Sequence, residues 1–161
     1  MEDRLARGFS LVKVDEALQL MLVTPAMLPS VWPQLEPIFL EHENVPGGWG
    51  EYYTIESILT AVTNEDMQLW AVNNDKEFFY VILTALIEYP KKKVVTTVWG
   101  GGKDLKEAVK VWDWMEVWAN KQGATLSIGG GRKGILRRLR NLGYTQTGVA
   151  FEKDISGIRE H

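Results

Sequence analysis

Gly100, Gly101 and Gly102 stand between a β-branched run, VVTTVW, and a charged amphipathic run that begins KDLKEAV. A strand that passes through glycines into a helix can offer unpaired backbone N–H groups to a phosphate, helped by the positive end of the helix dipole. The same residues can equally be a plain corner where two strands separate. A second candidate is the stretch GGGRKGILRRLR, in which Arg132, Lys133, Arg137, Arg138 and Arg140 crowd the entry and first turns of a helix. Glycines, a helix start and cations together suit an anion. Helical spacing of Ile135, Leu136, Leu139 and Leu142 also allows the arginines to be that helix's solvated face.

Composition narrows the remaining chemistry. The chain has no cysteine, which excludes disulfides, thiolate zinc sites, iron–sulfur clusters and a thiol nucleophile. His42 falls in a polar loop and His161 at the C-terminus, so neither histidine catalysis nor a metal site is expected. A net charge of −3 gives no global basic field to draw nucleic acid or a membrane. No apolar run has the length of a bilayer span, and the N-terminal residues carry charges throughout, unlike a signal peptide. These features predict a cytoplasmic protein, or a component of a particle assembled there. At 161 residues the chain suits one domain, and seven tryptophans predict a core or interface rich in large rings.

The elements that must position these residues follow from periodicity. Residues 1–16 read as an extension outside the main fold, helical in part, and 17–153 as the domain, with 154–161 a tail. LQLMLV predicts a strand over 18–23. Thr24 and Pro25 suit a helix start, while Pro33 and Pro37 predict a kinked or broken helix. Thr54 should cap a second helix, TIESILTAVTNE. Three strands then form a meander: MQLWAVN, EFFYVILTALIEYP and VVTTVW. A long helix runs from about Asp104 to Lys121, with one apolar stripe through Leu105, Ala108, Val109, Trp112, Met115 and Ala119. A second stripe, Val111, Trp114 and Trp118, should meet the N-terminal extension or lie exposed to a partner. TLSIGG predicts a short strand, GILRRLRNLG a helix closed by Gly143, and YTQTGVAFEK a last strand. The class is α/β (α+β), a mixed, mostly antiparallel sheet flanked by helices.

This order, with WGGGKDLKEAVKVWDWMEVWANKQGATLSIGG and the closing LRRLRNLGY, resembles the GNAT superfamily of N-acetyltransferases. Shorter pieces, among them IEYPKKKVV and WANKQGATLSIGGGRKGILRRLRNLGY, are similar to a small phage-encoded branch with acetyltransferase-like or internal-virion-like members. The resemblance implies acetyl-CoA as cofactor, lying where the strand ending at Val98 and Trp99 splays from the next. Aligned on Val98 and Ala119, the Arg or Gln of the pyrophosphate turn falls on Lys103 and the glycine after it on Asp104. The two near-helix glycines fall on Lys106 and Ala108, so Gly100 to Gly102 sit ahead of that turn. The position of the usual tyrosine acid falls on Leu139, and that of an asparagine at the cofactor arm on Arg132, which could hold a CoA phosphate. Fold and cofactor chemistry thus come apart.

If acetyl transfer occurs, a base must take a proton from the amine and an acid must supply the leaving thiolate. Glu88 is the candidate base, with an edge-turn charge as the alternative. Tyr144 is the candidate acid, with a packing role as the alternative. Glu51, Tyr52 and Tyr53 occupy the loop that covers the acceptor in the superfamily. Two functions stay open: an acetyl-CoA-dependent N-acetyltransferase with an unknown amine acceptor and an altered cofactor turn, or a non-catalytic protein of the same fold. The second would work by self-association or by contact with the proteins of a phage particle.

Overall fold

The computed structural model describes residues 11–13, 17–131 and 133–159. Among them six strands form one sheet in sequence order. They are β1 (Leu11–Lys13), β2 (Gln19–Val23), β3 (Gln68–Asn73), β4 (Phe78–Glu88), β5 (Lys93–Gly102) and β6 (Leu126–Gly129). The helices are α1 (Leu28–Glu41), α2 (Ile55–Thr63), α3 (Leu105–Lys121) and α4 (Lys133–Leu139), the last continued by a 3-10 turn over Arg140–Leu142. Neighbouring strands from β1 to β5 are antiparallel, and β6 is parallel to β5. A parallel neighbour needs a crossover, and α3 supplies it. The sheet is mixed and mostly antiparallel, as the sequence predicts.

Alternation along the central strands divides the core between two faces. Leu69, Ala71, Val81 and Leu83 point to a layer with Leu35 and Phe39 of α1, Ile58 and Val62 of α2, and Trp49. Trp70, Val72, Tyr80 and Ile82 point to the opposite layer with Ala108, Val111, Trp112, Met115 and Trp118 of α3. The two apolar stripes expected on α3 therefore merge into one broad buried face, and Trp118 meets Trp70 edge-on at 5.3 Å. The second stripe thus packs within the chain, with Val111 and Trp118 buried in the layer that faces the sheet.

Four local expectations need correction. Residues 11–13 pair with β2 as a strand, so part of the extension joins the sheet rather than lying helical outside it. α1 starts at Leu28, after a turn in which Met27 and Leu28 N–H both donate to Thr24 O, and it runs unbroken through Pro33 and Pro37. Pro29, Pro33 and Pro37 are all exposed, so the carbonyls of Pro29 and Pro33, which lose their N–H partners, are open to water as a substitute partner. The glycines continue β5 instead of forming a turn: Gly100, Gly101 and Gly102 pair with Ile82, Val81 and Tyr80. Finally, residues 144–153 form no strand, and 145–159 are exposed throughout.

Candidate functional site

The site begins with an irregularity in β5. Leu83 lies opposite Trp99, but the next residue, Thr84, lies opposite Thr97, so Val98 is an extra residue in the ladder. Such a bulge bends its strand and re-aims side chains. Val98 and Trp99 consequently both pack toward the α1–α2 layer, where the Trp99 ring lies 5.3 Å from Phe39 and 5.7 Å from His42. On the other side of β5, pairing with β6 runs from Val94–Leu126 to Thr97–Gly129 and ends there. β5 and β6 therefore part at the bulge, and among the described residues the outer edge of β5 from Val98 onward has no strand partner.

The glycines owe their type to packing at this edge. A Cβ on Gly102, which sits at φ +137, would stand 2.7 Å from Tyr80 Cα. One on Gly101 would enter the Trp99 ring, and one on Gly100 would lie 3.2 Å from Tyr80 Oη. Their small size seats one aromatic ring on each face of the strand end. The turn into α3 falls on Lys103 and Asp104. Asp104 adopts the left-handed conformation at φ 56 and makes no side-chain cap. Helix geometry leaves the N–H groups of Leu105 and Lys106 without intrahelical acceptors. Lys103 pairs with Glu77, and Lys110 with Glu107 at 2.9 Å.

A cleft of about 1050 Å³ opens on the α3 side of the parted strands. Val95, Thr97 and Gly100 of β5 form one wall, and Ser127 to Gly131 another. Trp112, Glu116 and Ala119 of α3 form the floor, with Leu139 and the segment from Gly143 to Ala150 closing the side. Three elements meet on that floor. The Tyr144 hydroxyl, placed by Gly143 at φ +94 behind the 3-10 turn, donates to the Glu116 carboxylate of α3. It also shares a hydrogen bond of 2.6 Å with the Ser127 hydroxyl of β6. Burial pushes the Glu116 carboxyl above its usual range; the Tyr144 bond partly offsets this, and Asp113 adds to it. Burial, and then the bond to Glu116, push the Tyr144 phenol up, against a smaller downward pull from Ser127. Tyr80, at the β5 wall, has its phenol raised to about 12 by burial.

The predicted residues divide sharply. Tyr144 and Gly100 line the cleft, and so does Leu139. Val98 and Trp99 border the parting but turn their side chains to the opposite face. Gly101, Gly102, Lys103 and Asp104 are not among the lining residues and lie at the rim, between the strand end and α3. Glu88 is exposed at the far end of β4, opposite Lys93, where β5 begins. It is therefore distant from the parting point. Arg132 lies outside the described residues. Tyr52 is exposed, and the loop before it is held by the Trp49 indole N–H donating to Phe39 O at 2.9 Å.

Glu116 and Ser127 carry polar groups in the cleft that the sequence reading did not single out, and it named Trp112 only as part of an apolar stripe. Glu116 could have been found: it lies four residues after Trp112 and three before Ala119, a carboxylate on the buried stripe of a helix.

No protein-family model matches the chain, and neither does any curated protein. Solved structures do match in fold. An aminoglycoside acetyltransferase from an uncultured soil metagenomic sample, in complex with sisomicin, superposes with a TM-score of 0.67 at 12% identity over 88% of this chain and 99% of its own. A predicted acetyltransferase with acetyl-CoA from Clostridium acetobutylicum gives 0.60 at 10% identity over 86% and 96%. Glucosamine-6-phosphate N-acetyltransferase from Arabidopsis thaliana gives 0.59 at 9% over 88% and 100%. The fold is GNAT-like. Nothing in these likenesses supports the phage branch.

Proposed function

We propose that the chain is an N-acetyltransferase-type protein that takes acetyl-CoA where β5 and β6 part and passes the acetyl group to an amine. The observation that carries this reading is the bulge at Val98, with the unpaired β5 edge beyond it and an open cleft beside it. An extended arm can add to such an edge as a further strand would. The cleft fits that arm better than it fits the diphosphate. Asp104 and Glu107 bring negative charge to the start of α3, and Lys103 is already paired with Glu77. The uncapped N–H groups of Leu105 and Lys106 and the exposed Lys106 side chain are what remain for a phosphate.

Bound acetyl-CoA would supply an activated acyl carbon. Among this chain's own residues, Tyr144 is the proton donor the reading assigns to the leaving sulfur, held by Glu116 and Ser127. Glu88 takes no part, because it sits at the opposite end of β4. The amine acceptor is unidentified, and the structural relatives that act on aminoglycosides or on an amino sugar phosphate make polyamino sugars the first class to test.

Titration calorimetry with acetyl-CoA tests the reading. Micromolar binding is expected, and it should be lost in Gly130→Asp, which adds a negative charge to the cleft at a position where a Cβ meets nothing within 4 Å. Absence of binding by the unaltered chain would overturn it. A second reading, a non-catalytic protein of this fold that works through protein contacts, draws on Val149, Phe151, Ile155 and Ile158, all exposed in the C-terminal segment. Concentration-dependent association that Phe151→Ser abolishes would favour it.

A further inference from the structure

Three tryptophans are fully buried: Trp49, Trp70 and Trp112. An indole N–H is a donor only, and burying one without an acceptor is costly. Trp49 solves this through Phe39 O at 2.9 Å, and Trp70 through Thr84 Oγ1 at 3.0 Å. Trp112 does not: its Nε1 is buried and makes no hydrogen bond. That N–H faces the Tyr144 hydroxyl, near enough to draw the phenol's pKa down but short of bonding geometry. The indole sits in the core layer, with its ring 6.4 Å from that of Tyr80, so its N–H stays aimed at this oxygen. The phenol already gives its hydrogen to Glu116 and shares a bond of 2.6 Å with Ser127 Oγ. A donor that is unpaired beside a neutral oxygen is paired once that oxygen carries charge. Such a contact favours the charged state over the resting one.

We propose that Trp112 is a positioning residue for Tyr144: its N–H donates to the phenoxide oxygen left when Tyr144 gives its proton to the leaving sulfur. The inference rests on the acetyl-CoA reading and deepens it. In this step the Tyr144 O–H bond breaks, its electron pair stays on oxygen, and an S–H bond forms on the departing thiolate. The proton released by the newly acetylated nitrogen restores the phenol, so none is consumed overall. The Trp112 bond is absent in the phenol and made in the phenoxide, so it eases the transfer without tightening substrate binding. Ser127 Oγ–H donates to the same oxygen. Glu116 is the charged group that faces Tyr144, and Asp113 acts on Glu116 from the same helix. A Glu116 carboxylate opposes the phenoxide. Burial raises the pKa of Glu116 and so favours its protonated form, which donates instead.

The test uses the whole chain and reads the phenoxide directly. 3-Fluorotyrosine in place of Tyr144 is a stronger acid than tyrosine, and the absorbance of its phenoxide follows its ionisation. Trp112→Phe keeps a ring and removes the N–H. In that background the residue at 144 is expected to ionise about one pH unit higher, a roughly tenfold smaller ionisation constant. Ionisation at the same pH with and without the indole overturns the inference. A second measurement leaves Trp112 in place and so does not depend on the variant folding. As the fluorotyrosine ionises, the Trp112 indole N–H resonance should move downfield, while those of Trp49 and Trp70, whose acceptors are elsewhere, hold still. An unmoved Trp112 resonance overturns the inference too. Calorimetry with acetyl-CoA separates the two levels. A chain that binds acetyl-CoA but shows neither effect overturns this inference alone, and failure of the unaltered chain to bind acetyl-CoA overturns both.

Discussion

Gly102 shows how much a single position at the strand end is asked to do. It takes a positive φ and brings its backbone against Tyr80, so any side chain there must displace β4 or unwind the strand end. Gly102→Ala is expected to cost about 3 kcal/mol, read from urea unfolding, because it combines backbone strain with a clash against main chain. Tyr80 gives a pH-dependent counterpart. Its phenol is raised from 10.0 to about 12 by burial, so the folded chain holds this proton more tightly than the unfolded chain does. The sign follows directly: the contribution is fully present below about pH 10 and is lost as pH rises toward 12. Unfolding measured from pH 8 upward should therefore show a stability decline above about pH 10 that is shallower in Tyr80→Phe. Equal slopes in the two proteins would refute the assignment.

At the scale of elements, local signals and tertiary placement contribute separately. Thr54 and Ser57 form a reciprocal cap, with the Ser57 N–H donating to Thr54 Oγ1 at 3.1 Å and the Thr54 N–H to Ser57 Oγ at 2.9 Å. Thr54→Ala should lower stability by about 1 kcal/mol in thermal or urea unfolding. α1 offers the opposite case, a helix that persists despite internal prolines because its buried residues, Leu28, Leu35 and Phe39, hold one face to the sheet. Pro33→Ala restores an N–H to an exposed turn and is expected to raise stability by about 1–3 kcal/mol. A decrease would mean that Pro33 is needed for a shape the packing requires. β5 is the element in which function and fold meet: one extra residue at Val98 turns the strand away from β6 and opens the cleft.

For the whole molecule, the sheet with helical layers on both faces accounts for the stability, while the segment after Tyr144 adds little to it. Residues 145–159 are exposed, and Phe151 is 95% so. Truncation after Tyr144 is expected to change unfolding stability by less than about 1 kcal/mol. Under the proposed function it should also weaken acetyl-CoA binding, because Thr145 to Ala150 line one side of the cleft. A large drop in melting temperature would show that this segment belongs to the core.

The sequence alone determined the order of elements from β2 through β6, the Thr54 cap and the inward stripe of α3, while the parting of two strands near the glycines came from the resemblance. The order, the cap and the stripe are each encoded over a few residues, as periodicity, capping chemistry or glycine content. It also pointed to Tyr144, through the helix stop before it. What the tertiary structure decided is where side chains distant in sequence meet: Glu116, Ser127 and Tyr144 on one floor, an indole N–H without an acceptor, and Glu88 far from all of them. The glycines' task was likewise undecidable locally, since a phosphate turn and a strand end squeezed between two rings use the same residue for the same reason, the absence of a Cβ. Only the neighbours across the sheet distinguish them, and those neighbours are set by register, which no short window of sequence contains.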